Sequence, residues 1–209
     1  VFFPAMPANF SNLIAFLIII TLIVGNVMAL KQTNIKGLMA YSGISLAGFM
    51  LMAILIGKDA EPHLFYYMVA YSISGIAAFS VILYVCQDKK EELIIHFRGF
   101  AKHNPVLAVT LSLALLSMAG IPILAGFFGK LFLFTQALNQ GYYVMVICAV
   151  ITSIISIYYY FKVIITMFTY KNSDAHTTYP KNNMYTLVAV TAIVINLIIG
   201  IYPSLLIDL

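Results

Sequence analysis

Long apolar runs separated by short polar connections dominate the chain from about residue 10 onward. A helix needs about 20 apolar residues to cross a ~30 Å hydrocarbon core. The runs predict membrane helices over 10–30, 35–56, 64–86, 105–138, 142–168 and 184–204. Polar punctuation sets their limits. Lys31 to Lys36 follows the first run, Lys58, Asp59, Glu61 and His63 the second, Gln87 to Asn104 the third, and Lys171 to Asn183 precedes the last. Pro4 and Pro7 make the opening segment a loop. Within 87–104, the stretch Leu93 to Phe100 is mildly amphipathic and is expected to lie along the membrane interface.

The fourth run departs from the pattern. Its 34 residues would reach about 51 Å as one helix, more than one crossing requires and less than two full spans of ~20 residues with a turn between them. Gly120, Pro122 and Gly126 fall inside it, so a single crossing broken near 120–122 is expected. Backbone groups freed at membrane depth are tolerated where protein or a water-filled cavity satisfies them. Lys130 follows the break within the same apolar run. A lysine at the bilayer centre costs about 2.5–3.5 kcal/mol on insertion scales, and such residues mark ion or proton pathways. A desolvated amine can exchange protons near neutral pH. The alternative is a lysine near a helix end whose ammonium reaches the headgroups.

Composition supports this class. Of 209 residues, 63% are hydrophobic and 9% charged, with a mean hydropathy of +1.01, which excludes an ordinary soluble domain. The net charge of +4 is not a nucleic-acid footprint, because most basic residues lie between the runs and report topology. With six single crossings, nine lysines and arginines (Lys31, Lys36, Lys89, Lys90, Arg98, Lys102, Lys162, Lys171 and Lys181) fall on one side and Lys58 alone on the other. That side is expected to be cytoplasmic, with both chain ends facing outward. Cys86 and Cys148 lie far apart without a CxxC and read as buried, inert residues; no metal or iron–sulfur spacing is present. Small and hydroxyl residues in the second run (Gly37, Ser42, Gly43, Ser45, Ala47, Gly48) read first as close helix packing. Tyr158 to Lys162 reads as an interfacial anchor at a span end. The chain begins at Val1 without a methionine or a signal peptide and is read as the C-terminal part of a longer protein.

Several segments in order resemble a known family. Gly25-Asn26-Val-Met-Ala-Leu30, Gln32 to Lys36 with Tyr41-Ser42, and Leu116-Ser-Met-Ala-Gly-Ile-Pro122 continuing through Ala125-Gly-Phe-Phe-Gly-Lys130 resemble the antiporter-like subunits of the proton-pumping NADH:quinone oxidoreductase, complex I. The lysine after Gly-Phe-x-Gly and the tyrosine-rich Ile157 to Lys162 are similar to the subunit N branch (mitochondrial subunit 2). The resemblance implies an all-α polytopic fold, the second inverted repeat of a fourteen-helix protein. Lys130 would then lie on a broken helix near the exit half of a proton route. It implies no cofactor in this chain, with NADH, FMN, iron–sulfur clusters and quinone handled elsewhere in the complex. It also implies partners among the other membrane-arm subunits and a setting in the lipid bilayer, in a bacterial inner membrane or alternatively an organellar one. Many relatives carry a histidine on the second span, where this chain has Leu46. Either water ordered by Tyr41, Ser42, Ser45 and Tyr71 spans that gap or the central path differs.

The site expected from these readings is Lys130 as proton relay, with Lys36, Tyr71 and Ser42 as further candidates and Gly120, Pro122 and Gly126 shaping the break. Each further candidate has a plainer role: Lys36 orients its helix end, and Tyr71 and Ser42 pack or hydrogen-bond between helices. His96 and His103 read as solvated, and His63 has no partner by spacing. Three functions follow: a subunit of a redox-driven proton pump, a subunit of a multi-subunit sodium/proton antiporter, or a non-transporting scaffold in which Lys130 is structural.

Overall fold

The computed structural model describes residues 8–87, 90–169 and 183–207. Helices α1 (Ala8–Leu30), α2 (Ile35–Ile56) and α3 (Glu61–Cys86) are followed by a short α4 (Phe100–His103), the half-helices α5 (Pro105–Ala119) and α6 (Ala125–Asn139), then α7 (Tyr143–Phe168), α8 (Asn183–Ile201) and the short α9 (Ser204–Ile207). Among the described residues, five helices are long and apolar enough to cross a membrane. At 15 residues each, α5 and α6 are about 22 Å long and cannot do so singly.

Close approach fixes the bundle. A Cβ on Gly25 of α1 would stand 2.8 Å from the Ser45 nitrogen and 3.0 Å from the Tyr41 carbonyl on α2, and one on Gly48 would stand 3.0 Å from Leu22. Ser45 and Gly48 thus serve close packing, whereas a Cβ at Gly43 would meet nothing within 4 Å and Ala47 is exposed. Helix α3 lies centrally against α2, α5, α6 and α8, while α7 closes on α1 and α5. Outer faces are apolar, as at Phe16, Ile147, Ile154 and Leu187, as expected of helices bathed in lipid or other membrane protein.

Several boundaries differ from the sequence expectation. Helix α3 begins three residues before 64, because Pro62 sits in its first turn, where its missing N–H costs nothing. Glu61 and His63 are therefore helical and not part of a loop. The last span stops at Ile201 ahead of Pro203, and α9 follows. Lys162 lies within α7, not in the connection after it. The stretch 93–100 is fastened into the bundle: Phe97 and Phe100 are fully buried, the Ile35 N–H donates to the Glu92 carbonyl (2.8 Å) and the Ile94 N–H to the Thr33 carbonyl (2.9 Å). Residues 1–7, Lys89, Lys171 and Lys181 lie outside the described residues.

Candidate functional site: a lysine seated on a broken helix

Glycine makes the break. Gly120 takes a left-handed conformation (φ 89°) after α5, a common helix stop. Its N–H donates to the Leu116 and Ser117 carbonyls, and the Ile121 N–H to Leu116 (3.0 Å). That leaves the last two carbonyls of α5, at Met118 and Ala119, without backbone donors among these bonds. Lys130 supplies them: Nζ donates to Met118 O at 3.2 Å and Ala119 O at 3.0 Å. The ammonium also stands 5.2 Å from the centre of the Phe49 ring, a cation–π contact. Lys130 is 7% exposed, and its head is turned into the bundle instead of out toward headgroups.

A second tie crosses the break. The Gly126 N–H donates to Ser117 Oγ (3.2 Å), and a Cβ on Gly126 would overlap the Ser117 carbonyl. Gly200 of α8 allows the same closeness from outside, since a Cβ there would come within 2.5 Å of the Ile123 carbonyl. Pro122 is exposed in the linking segment. Ile123 beside it holds φ 83°, a strained setting for a β-branched residue.

Lys130 borders two cavities. The inner one, about 10 Å³ of space open to a water's centre, is lined by Ser42, Ser45, Leu46, Tyr67, Tyr71, Ser153, Ser156, Tyr159 and Tyr160, with Phe49 and Met118. That is about the volume of one ordered water, and it has polar partners to hold it. The outer cavity, about 150 Å³, lies between the break and α7 among Phe127, Leu131, Phe134, Val150 and Ile154. Ser153 lines both.

Hydroxyls lead away from the inner cavity. Tyr71 interacts with Ser42 and Tyr160, and Tyr160 with Tyr159. Tyr159 donates to Asn26 Oδ1 at 3.1 Å, and Asn26 Nδ2 donates to Ser45 Oγ at 2.8 Å. The structure thus brings Lys130, Ser42 and Tyr71 together, with Leu46 among them. Tyr41 does not line the cavity; Tyr159 and Tyr160 of α7 stand there. These two, 1% and 2% exposed, are not interfacial anchors, whereas Tyr158 faces outward. Their signal was a stripe at helical spacing, since Thr152, Ser156 and Tyr159 share one face of α7.

Lys36 is elsewhere. Its Nζ lies 2.7 Å from Glu92 Oε1 in a partly exposed pair, and the Asn34 side chain caps the same helix end. The bond from Lys36 holds the Glu92 carboxyl below its ordinary range, with Asn34 assisting. A lowered folded-state value adds stability above the unfolded carboxyl's range, near 4.3, and loses it as pH falls through the folded value. Glu92→Gln is therefore expected to lower the thermal midpoint slightly at pH 7, by an amount that shrinks in acid and in high salt. Melting curves at pH 7 and pH 3.5 check it; an equal deficit at both would remove the pair's contribution. His63 does have a partner: its Nε2 lies 3.3 Å from Gln136 Nε2, and its ring stacks on Phe132. His103 is exposed and His96 half-buried. The described residues gather no three His, Cys, Asp or Glu side chains suited to a metal ion.

A half-helix pair closed by a buried lysine, inside a bundle of membrane-length helices, defines a multi-pass membrane protein of the antiporter-like class. Residues 1–156 match the family described as NADH:quinone oxidoreductase/Mrp antiporter, transmembrane, and the chain belongs to that family. It is 50% identical over 201 residues to NADH-quinone oxidoreductase subunit N of Flavobacterium johnsoniae, covering 96% of this chain and 43% of the relative. It is similar to a chain of respiratory complex I from Thermus thermophilus with bound aureothin, at 30% identity and a TM-score of 0.83, covering 94% of this chain and 45% of that one. A chain of the Mrp complex from Dietzia sp. DQ12-45-1b shares the fold at 19% identity and a TM-score of 0.84, with 95% and 45% covered. The chain spans less than half the length of the curated relative it matches.

Proposed function

We propose that this chain is part of a membrane-arm subunit of a proton-translocating NADH:quinone oxidoreductase in a bacterial inner membrane, and that Lys130 relays protons within it. The observation that carries the relay is the seating of Lys130 between a hydroxyl-lined cavity and two helix-end carbonyls. An ammonium has three donors. Two are held by Met118 and Ala119, and the third is left for the cavity. There the ammonium passes a proton to water or a hydroxyl and becomes a neutral amine, whose lone pair then accepts the next proton. Ser42, Ser45 and Tyr71 flank Leu46 on the cavity wall, so water ordered by these hydroxyls carries the proton past a side chain that cannot. NADH, flavin, iron–sulfur clusters and quinone are handled by other subunits, and this chain contributes proton movement alone. Identity supports this reading: the chain is 50% identical to a subunit N and 30% identical to a chain of a respiratory complex I.

The test is deletion and restoration of the full-length gene. The expected result is loss of NADH-driven proton uptake in inverted membrane vesicles, with the intact protein copurifying with flavin and iron–sulfur subunits. Unchanged NADH-driven uptake with loss of sodium/proton exchange would transfer the protein to the antiporters.

A further inference from the structure

Across the break lies a hydrogen-bond line that the relay does not use. Asn196 of α8 is fully buried. Its Nδ2 donates to Ser74 Oγ on α3 at 2.9 Å and to the Ala70 carbonyl at 3.3 Å. Ser74 Oγ lies 3.1 Å from Ser117 Oγ on α5, and Ser117 Oγ accepts from the Gly126 N–H at 3.2 Å. Four elements are thus joined through two hydroxyls, Ser74 and Ser117, and the last link spans the break itself. Ser117 immediately precedes Met118 and Ala119, whose carbonyls seat the Lys130 ammonium, while Gly126 lies one helical turn before Lys130. Whatever holds Ser117 against Gly126 therefore sets how far the ammonium stands from its two acceptors.

Asn196 is a costly residue at this place. Its Oδ1 is buried and accepts no hydrogen bond from the described residues, and burying a polar atom unpaired is unfavourable. An apolar residue would fill the position without that cost. What distinguishes asparagine here is the pair of donations from Nδ2.

We propose that Asn196 is a positioning residue for Lys130, acting through Ser74 and Ser117 to fix the two half-helices relative to each other. The inference rests on the relay reading above. It makes α8 the element through which a movement of the last helix alters the seat of the lysine. The tie relies on donation, because Asn196 contributes no charge. Titratable side chains on the elements packed against α8 are Glu61, His63, Tyr66, Tyr67, Tyr71, Tyr84 and Cys86 on α3 and Lys130 on α6, with none on α5. Of these, Tyr66 is tied to the α8 backbone, donating to the Ile199 carbonyl at 3.1 Å.

The experiment uses the full-length protein in assembled complex, in vesicles, reading the ratio of NADH-driven proton uptake to assembled complex. Asn196→Leu and Ser117→Ala are each expected to lower this ratio about threefold or more, from loss of one buried hydrogen-bond link, and the double variant to fall no further than the worse single one. Asn196→Asp keeps the shape and donates to Ser74 only while its carboxyl holds a proton, so its ratio is expected to recover toward the parental value as the pH is lowered. Asn196→Leu is expected to show no such recovery. Parental ratios in Asn196→Leu and Ser117→Ala, with Lys130→Ala inactive, would overturn this inference and leave the relay standing. Additive losses, or no pH-dependent recovery in Asn196→Asp, would also overturn it. So would failure of all three Asn196 and Ser117 variants to assemble, since the tie would then be a folding contact. If Lys130→Ala pumps normally, the relay itself fails.

Discussion

Lys130→Ala in the full-length protein is expected to lower NADH oxidation and proton uptake together, by about a hundredfold per assembled complex, the low end of what losing a proton-transferring group costs. The two fall together because coupled turnover waits for the proton step. Alanine also abandons the Met118 and Ala119 carbonyls, a loss of about 1–3 kcal/mol for each buried acceptor left unpaired, so reduced assembly accompanies the change. Lys130→Arg separates the two effects. A guanidinium offers donors to both carbonyls yet cannot be deprotonated in a protein. Assembly is expected to recover in Lys130→Arg while pumping does not. Recovery of pumping as well would make the lysine a structural cation, and the scaffold reading would prevail. Spectroscopic quantification of assembled complex alongside uptake in the same vesicles gives both readouts.

The second large effect is expected at Gly126. A methyl group there meets the Ser117 carbonyl, which is backbone and cannot swing aside. The two half-helices must part, loosening the Gly126 to Ser117 bond and the lysine's grip together. Overpacking of this kind costs about 1–3 kcal/mol and occasionally more, so Gly126→Ala is expected to lower the thermal midpoint clearly and to impair pumping in whatever assembles. Gly43→Ala provides the contrast. Nothing stands within 4 Å of a Cβ at Gly43, and alanine in a helix interior is favoured over glycine by up to about 1 kcal/mol. That variant is expected to melt at or slightly above the parental temperature. Equal destabilisation by both changes would mean that the break is no tighter than the rest of the bundle.

The helices and the interruption between α5 and α6 were legible in the chain, because length, hydropathy and glycine or proline placement act locally. Lys130 was legible as a group that an apolar run must house. What holds it was not. The carbonyls of Met118 and Ala119 carry no side-chain signature, and become acceptors only because Gly120 and Ile121 spend their N–H groups on Leu116 and Ser117. Three consecutive tyrosines span most of a helix circumference, at about 100° per residue. Composition alone assigned all three to the interface; the facing residues Asn26 and Tyr71, far away in sequence, decide that Tyr159 and Tyr160 turn inward. Gly200 and Asn196 carry no local signal of their roles, since their partners lie on α3 and in the break, 70 or more positions earlier.

The carbonyl seat also fixes the sign of the charge that can reside there. The peptide dipoles of α5 add along its axis and leave about half a negative charge at its C-terminal end, and that end is where the ammonium rests. A cation is welcomed by the helix polarity, whereas an anion would meet two carbonyl oxygens and a repulsive field. Exchanging Lys130 for glutamate is therefore not a trade of one titratable group for another. The direction in which the half-helix runs commits this position to a group that is neutral or positive, never negative.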